Sequence, residues 1–344
     1  MPGKSSPPPL SPASAAAAAS VWLRGNAFLV GLGIATALAF VFPAPGARGG
    51  WMHPEILVNA GVALILFLQG VSLPFEKVKA GAANWRLHLL VQAFTFVVFP
   101  IVGISLNAIL PTVWMDMPRA IREGFLYLCV LPSTVSTSVV FTAVARGNTA
   151  GALFNAAFSN VIGVVLTPVL IHLLMKTTGL SAPIGPMLVK ITALTLLPFA
   201  VGAALHPRVA GWVSARKAWV TRISNGAILF MVYAAFCDSV QDQVWQRHGA
   251  SVTLKTFLLA CALFVGMSLL IAGTCRALRL NREDYVAAYF CAVKKTLAMG
   301  VPLAVLIFGA DADLSLILLP IMFYHPIQLL VNGVLANRWG AGGG

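Results

Sequence analysis

About ten stretches of this chain stay apolar long enough to cross a bilayer, and that repetition decides most of what the sequence can become. A spanning helix needs about 20 mostly apolar residues. The runs fall at 26–42, 56–73, 87–110, 125–145 and 150–175, then at 183–205, 223–237, 253–275, 285–309 and 314–335. The seventh is short and begins near Trp219, an aromatic suited to the interface. Of the 344 residues 59% are hydrophobic and 10% charged, where soluble domains average about 45–50% and about 25%, so the chain lacks the charge to cover a soluble surface. The expected fold is all-α: a polytopic membrane protein of about ten helices. Residues 25–338 form a single transmembrane unit, preceded by a disordered Pro-, Ser- and Ala-rich leader at 1–24 and followed by a tail at 339–344.

The net charge of +13 comes with no aromatic-studded basic patch, and the charges sit between apolar runs, which points to a membrane surface and not to nucleic acid. Orientation follows from where Lys and Arg fall. With both termini cytoplasmic, that side receives Lys77, Lys79, Arg86, Arg216, Lys217, Arg222, Arg276, Arg279 and Arg282 among others. The opposite side receives Arg48, Arg119, Arg122 and Arg247, with most of the acids, for a bias of about two to one. The five cysteines, Cys129, Cys237, Cys261, Cys275 and Cys291, have no metal-ligand spacing and read as small buried hydrophobes.

Five spans followed by five more enter the membrane from opposite sides, so two related halves would form an inverted repeat. The fourth and ninth runs are each interrupted in the middle, by LPSTVSTS at 131–138 and by VKKTLAMGVP at 293–302. Proline removes a backbone donor, and clustered hydroxyls can satisfy the carbonyls it frees. Broken helices at matching places in two halves point to a binding site at the midplane.

Lys294 and Lys295 lie in the middle of the ninth run, where an ammonium costs about 2.5–3.5 kcal/mol on the most lenient scale. Either they snorkel to an interface, or at least one supplies a fixed positive charge in a wet cavity, facing an anion or filling a cation's place. Ser133, Thr134, Ser136, Thr137 and Ser138 make a denser hydroxyl run than packing asks for, and Thr296 follows the lysines. Asn155 and Ser159, four apart, share a helical face and serve equally well as glue between helices or as part of a site. Gln92 is an isolated amide in the third run; His325 and Gln328 flank Pro326 in the tenth and read first as a kink with a satisfied histidine. No HExxH, GxSxG or Walker motif occurs, and no paired carboxylates lie inside the membrane, so no enzyme is expected.

Three stretches carry a resemblance: FLQGVSLPFEKVKAGAANWRLHLLVQAFTFVVFP at 67–100, the broken fourth run with ARGNTAGALFNAAFSNVIGVVLTPVL at 145–170, and AAYFCAVKKTLAMGVPLAVLIFG at 287–309 followed by LPIMFYHPIQLL at 319–330. Together they resemble the bile acid:sodium symporter superfamily, solute carrier family 10, and within it the bacterial branch similar to the seventh human member. The resemblance implies two inverted five-helix repeats with crossing, unwound fourth and ninth helices. It implies a core of spans 3–5 and 8–10 and a panel of spans 1, 2, 6 and 7. It also implies transport of small organic anions across the bacterial inner membrane, often with sodium. One sodium site of such relatives matches Ser136, Thr137, Ser138, Asn155 and Ser159. The other matches Gln92 plus acidic and amide residues on the ninth helix, where this chain instead has Lys294, Lys295 and Thr296. A lysine cannot ligate sodium, so that part of the pattern is not reproduced. The expected function is secondary transport of organic anions with no cofactor beyond a possible sodium ion; the alternative is a non-transporting membrane sensor built on the same fold.

Overall fold

The computed structural model describes residues 27–72, 83–114, 117–177, 185–309 and 313–341. The leader at 1–24, the loop carrying Lys77 and Lys79, and the last residues of the tail lie outside them. Every apolar run becomes a helix. These are α1 (Ala27–Val41), α2 (Pro54–Val71), α3 (Trp85–Val113), α4 in two halves, α4a (Arg119–Val130) and α4b (Ser136–Val144), and α5 (Thr149–Thr177). The second set is α6 (Gly185–Ala215), α7 (Lys217–Gln241), α8 (Val244–Ala277), α9 in two halves, α9a (Arg282–Ala292) and α9b (Leu297–Phe308), and α10 (Leu314–Ala341). The protein is thus an all-helical polytopic membrane protein. Among the described residues seven of these elements, α2, α3, α5, α7, α8, α9 and α10, are long and apolar enough to cross a membrane.

Both interruptions are shorter than the sequence pattern suggests. The fourth is non-helical only at 131–135 and the ninth at 293–296, so Ser136, Thr137 and Ser138 already form the first turn of α4b and Pro302 sits inside α9b. The N–H groups of a first helical turn have no acceptors within the helix, and hydroxyl residues, poor in a helix interior, are at home there. α3 contains one wide turn at Phe94–Val98, where the Phe99 N–H reaches back to the Phe94 carbonyl. Gly249, at φ 69°, kinks α8 near its start.

The helices pack in two neighbourhoods. α7 lies against α1 and α2, and α2 against α6; α10 lies against α4a and α8, while α9a meets α3, α4b, α5 and α8. The row α1–α7–α2–α6 maps onto itself when each helix is exchanged with the one five places along, the relation an inverted repeat requires. α9 is the most sheltered of the seven membrane-length helices, so its polar residues face protein and not lipid. The described cysteines carry no disulfide, and all but Cys261 are buried.

Within the first neighbourhood two glycines set the helix spacing. A Cβ at Gly70 of α2 would run into the Phe199 carbonyl of α6, and one at Gly202 of α6 would run into the Phe67 carbonyl of α2. Backbones this close are the means by which membrane helices gain packing without a hydrophobic drive. Gly70→Val or Gly202→Val should therefore force α2 and α6 apart and cost about 1–3 kcal/mol, as overpacking does. Thermal unfolding in detergent checks this, with Gly33→Val, where no atom lies near the new Cβ, as the silent control.

Candidate functional site

The two breaks lie directly on each other. The Thr296 N–H donates to the Pro132 carbonyl at 3.0 Å, joining the non-helical stretch of α9 to that of α4. Pro132 itself seats against Gly163 of α5, where any Cβ would strike the proline ring at 2.7 Å. Each helix end at this depth frees carbonyls that water cannot reach, and nearly every one is met by a specific donor. On the α4 side Thr167 Oγ1 bonds the Val130 carbonyl at 3.0 Å and Asn160 Nδ2 bonds that of Ser133 at 2.7 Å. On the α9 side Ser138 Oγ meets the Phe290 carbonyl at 3.0 Å, Ser133 Oγ that of Cys291 at 2.7 Å, and the Tyr324 hydroxyl that of Val293 at 2.7 Å.

Lys295 completes this set. Its ammonium, fully buried, donates to the carbonyls of Leu131 at 2.8 Å, Cys129 at 3.0 Å and Thr95 at 3.2 Å, and lies 3.9 Å from the centre of the Phe99 ring. The first two carbonyls end α4a, where the helix dipole favours a cation. The third is free for a reason written in α3: Phe99 donates to Phe94 in the wide turn, and the next residue, Pro100, has no N–H to offer. Gln328 fixes the lysine's own backbone from both sides, accepting from the Lys295 N–H and donating to its carbonyl, each at 2.8 Å. His325 Nδ1 lies 2.9 Å from the same amide nitrogen.

Lys294 projects elsewhere. Its ammonium is equally buried but has no hydrogen-bond partner among the described residues, resting 3.8 Å over the Phe141 ring of α4b and 5.8 Å from that of Phe290. The rings offer a cation the negative faces of their π systems, and among the described residues no carboxylate pairs with it. One lysine is therefore a filled socket and the other an ammonium with acceptors still to find.

The remaining candidates divide between scaffolding and open positions. Ser159 Oγ accepts from the Ser133 N–H at 3.1 Å. Gln92 Nε2 reaches the Asn155 side-chain oxygen at 3.3 Å and its carbonyl at 3.1 Å, while Gln92 Oε1 is buried without a partner. Thr134 pairs with Thr137 at 2.8 Å and with Ser138 at 3.2 Å, and the Thr296 hydroxyl caps α9b on the Met299 N–H at 3.4 Å. Only Ser136 is exposed, at the start of α4b. Sodium would have to use these neutral oxygens beside two ammonium groups, and the Cys129, Leu131 and Thr95 carbonyls do not fit it, since Lys295 already occupies them. Among the described residues no cluster of three or more His, Cys, Asp or Glu stands ready for a metal. Sequence reasoning missed Thr95, Thr167 and Tyr324; Pro100, five residues after Thr95, was the one available signal for the first.

The contrast between the lysines has a direct consequence for stability. Lys295→Met strands three buried carbonyls at about 1–3 kcal/mol each and should lower the melting temperature sharply. Lys294→Met removes an ammonium that bonds nothing, and should leave the melting temperature unchanged or raise it. Thermal unfolding of the two variants side by side checks the assignment.

Comparison with known proteins gives the chain a family. The model of the SBF-like CPA transporter family matches residues 26–341. The putative symporter YfeH of Escherichia coli is 36% identical over 302 residues, covering 88% of this chain and 89% of that protein. The Pseudomonas aeruginosa protein PA2026 is 37% identical over 287 residues, covering 83% and 84%. Sodium/bile acid cotransporter 7 of Rattus norvegicus is 29% identical over 330 residues, covering 91% and 92%. With nearly its whole length matched, broken helices included, the chain belongs to the SBF-like CPA transporter family, the group of bile acid:sodium symporter relatives its motifs resemble.

Proposed function

We propose that the protein is a secondary transporter of small organic anions in which Lys295 takes the place of a coupling cation and Lys294 meets the substrate. The carrying observation is the unequal state of two adjacent buried ammonium groups: one saturated by three carbonyls, the other with no acceptor among the described residues. A protonated lysine at membrane depth favours an anion because no carboxylate pairs with it among the described residues. In this reading Ser136, Thr137, Asn155 and Thr296 complete the site, with Gln92, whose amide reaches Asn155, beside them. The panel of α1, α2, α6 and α7 and the core of the other six helices move relative to one another around it, as alternating access about a midplane site requires. All ten helices cross the membrane in this reading, with both termini cytoplasmic.

The charge distribution supports that orientation. Arg216, Lys217, Arg222 and Arg279 gather at one face, while the Arg48–Asp238 pair, at 3.3 Å, and Asp242 lie at the other. Impermeant labelling of single cysteines from outside should mark positions beside Asp242 and Asp313 and spare those beside Arg216 and Arg279. The reverse pattern would sink the orientation and the repeat together.

The functional test is uptake of labelled organic anions into proteoliposomes under imposed ion gradients. Uptake should need no sodium, or at most one ion held by Ser136, Thr137, Asn155 and Ser159. Lys294→Gln should lower it more than tenfold, equivalent to about 1.4 kcal/mol of lost interaction or more, while Lys294→Arg should work in part because the charge survives. In Lys295→Gln, added sodium should restore some uptake by filling the vacated carbonyls. Sodium-driven uptake unaffected by replacing either lysine would refute the reading, and binding of anions without any uptake would favour a sensor.

A further inference from the structure

A second surface lies far from the crossing, at the turn between α6 and α7. α6 has 31 residues, about 46 Å at about 1.5 Å per residue, and outlasts a hydrocarbon core of about 30 Å. Its last turns and the first turns of α7 therefore stand at headgroup depth. There Arg208, Arg216, Lys217 and Arg222 are all exposed. No Asp or Glu occurs in the sequence between Glu123 and Asp238, and among the described residues none of the four has a carboxylate partner. Arg48 and Arg119, by contrast, pair with Asp238 and Glu123.

Two tryptophans share the turn, Trp212 at 57% and Trp219 at 63% exposure. The Arg216 guanidinium stacks 4.8 Å from the Trp212 ring centre and that of Arg222 5.5 Å from Trp219. A third such stack, Arg86 on Trp85 at 5.6 Å, opens α3. It lies at the same face: His206 Nδ1 sits 2.6 Å from the Val71 carbonyl that ends α2, and α3, the next described helix, starts at Trp85. All arginine–tryptophan stacks among the described residues thus belong to one side of the molecule.

Indole rings settle at the headgroup level, and a planar guanidinium binds phosphate through two parallel hydrogen bonds. Several basic residues at the end of a membrane helix attract anionic lipid. We infer that the α6–α7 turn, with the start of α3, is a binding surface for the phosphate headgroups of anionic phospholipids in the surrounding bilayer. The exposed indoles beside the apolar Ile223 favour a lipid over an acidic soluble protein, because they would be left in water by the latter.

The test is thermal unfolding of the full chain in mild detergent, with dioleoyl phosphatidylglycerol or dioleoyl phosphatidylcholine added at equal mole fraction. A ligand that prefers the folded state raises its melting temperature. Phosphatidylglycerol should raise it by a few degrees more than phosphatidylcholine, and salt should erase the difference. The triple variant Arg216→Gln/Lys217→Gln/Arg222→Gln should lose the difference; the opposite-face variant Arg247→Gln/Lys255→Gln should keep it. If the triple variant does not fold, the salt response and the opposite-face variant still decide. The inference is overturned by equal effects of the two lipids, by a salt-insensitive difference, by its survival in the triple variant or loss in the opposite-face variant, or by inorganic phosphate alone reproducing it.

Discussion

Breaking a helix inside a membrane leaves backbone carbonyls and N–H groups in a place where water cannot satisfy them, and the centre of this protein is organised around that cost. Most of the described carbonyls at the two breaks are met by a specific donor: by hydroxyls from Ser133, Ser138, Thr167 and Tyr324, by amides from Asn160 and Gln328, and by one ammonium. The donors come from α4, α5, α9 and α10, so each satisfied carbonyl is also a tie between helices. Two interrupted helices would be expensive alone. Crossed, each supplies part of what the other lacks, as the Thr296–Pro132 bond and the Ser133–Cys291 bond show.

This accounting also explains why much of the site was legible in the sequence and some was not. Interrupted apolar runs, Pro132 and the hydroxyl cluster are visible because they violate the composition of an ordinary membrane helix. The same patterns overstated the breaks, since Ser136 to Ser138 and Leu297 onward are polar or proline-flanked yet helical. Adjacent lysines were visible as an anomaly, but their different fates were not: outside a helix, neighbouring side chains have no fixed common face, and only the packing of α3 and α4b around them separates Lys295 from Lys294. Thr95 contributes a carbonyl, which has no side-chain signature, and Thr167 and Tyr324 lie in apolar runs where a single hydroxyl ordinarily bonds its own helix.

The neighbour order of the helices adds a constraint that sequence alone could not carry. Exchange of the two five-helix sets preserves the row α1–α7–α2–α6, yet the two breaks are chemically unlike: hydroxyls dominate in α4, lysines in α9. Symmetric geometry with asymmetric chemistry is what a site needs if one half is to hold the framework and the other to present charge.

A cation on a tether differs from one in solution in a way that bears on energy coupling. A diffusible ion shifts a conformational equilibrium according to its concentration and its differential affinity for the two states. An ammonium joined to the chain has no concentration: the three carbonyls it meets here are satisfied at any sodium gradient. If Lys295 takes a cation's place as proposed, such a crossing would draw no work from sodium at that position. What is left to vary is the partner of Lys294, so in the proposed reading the arrival and departure of an anion there would be the event that changes the charge balance at the centre of the fold.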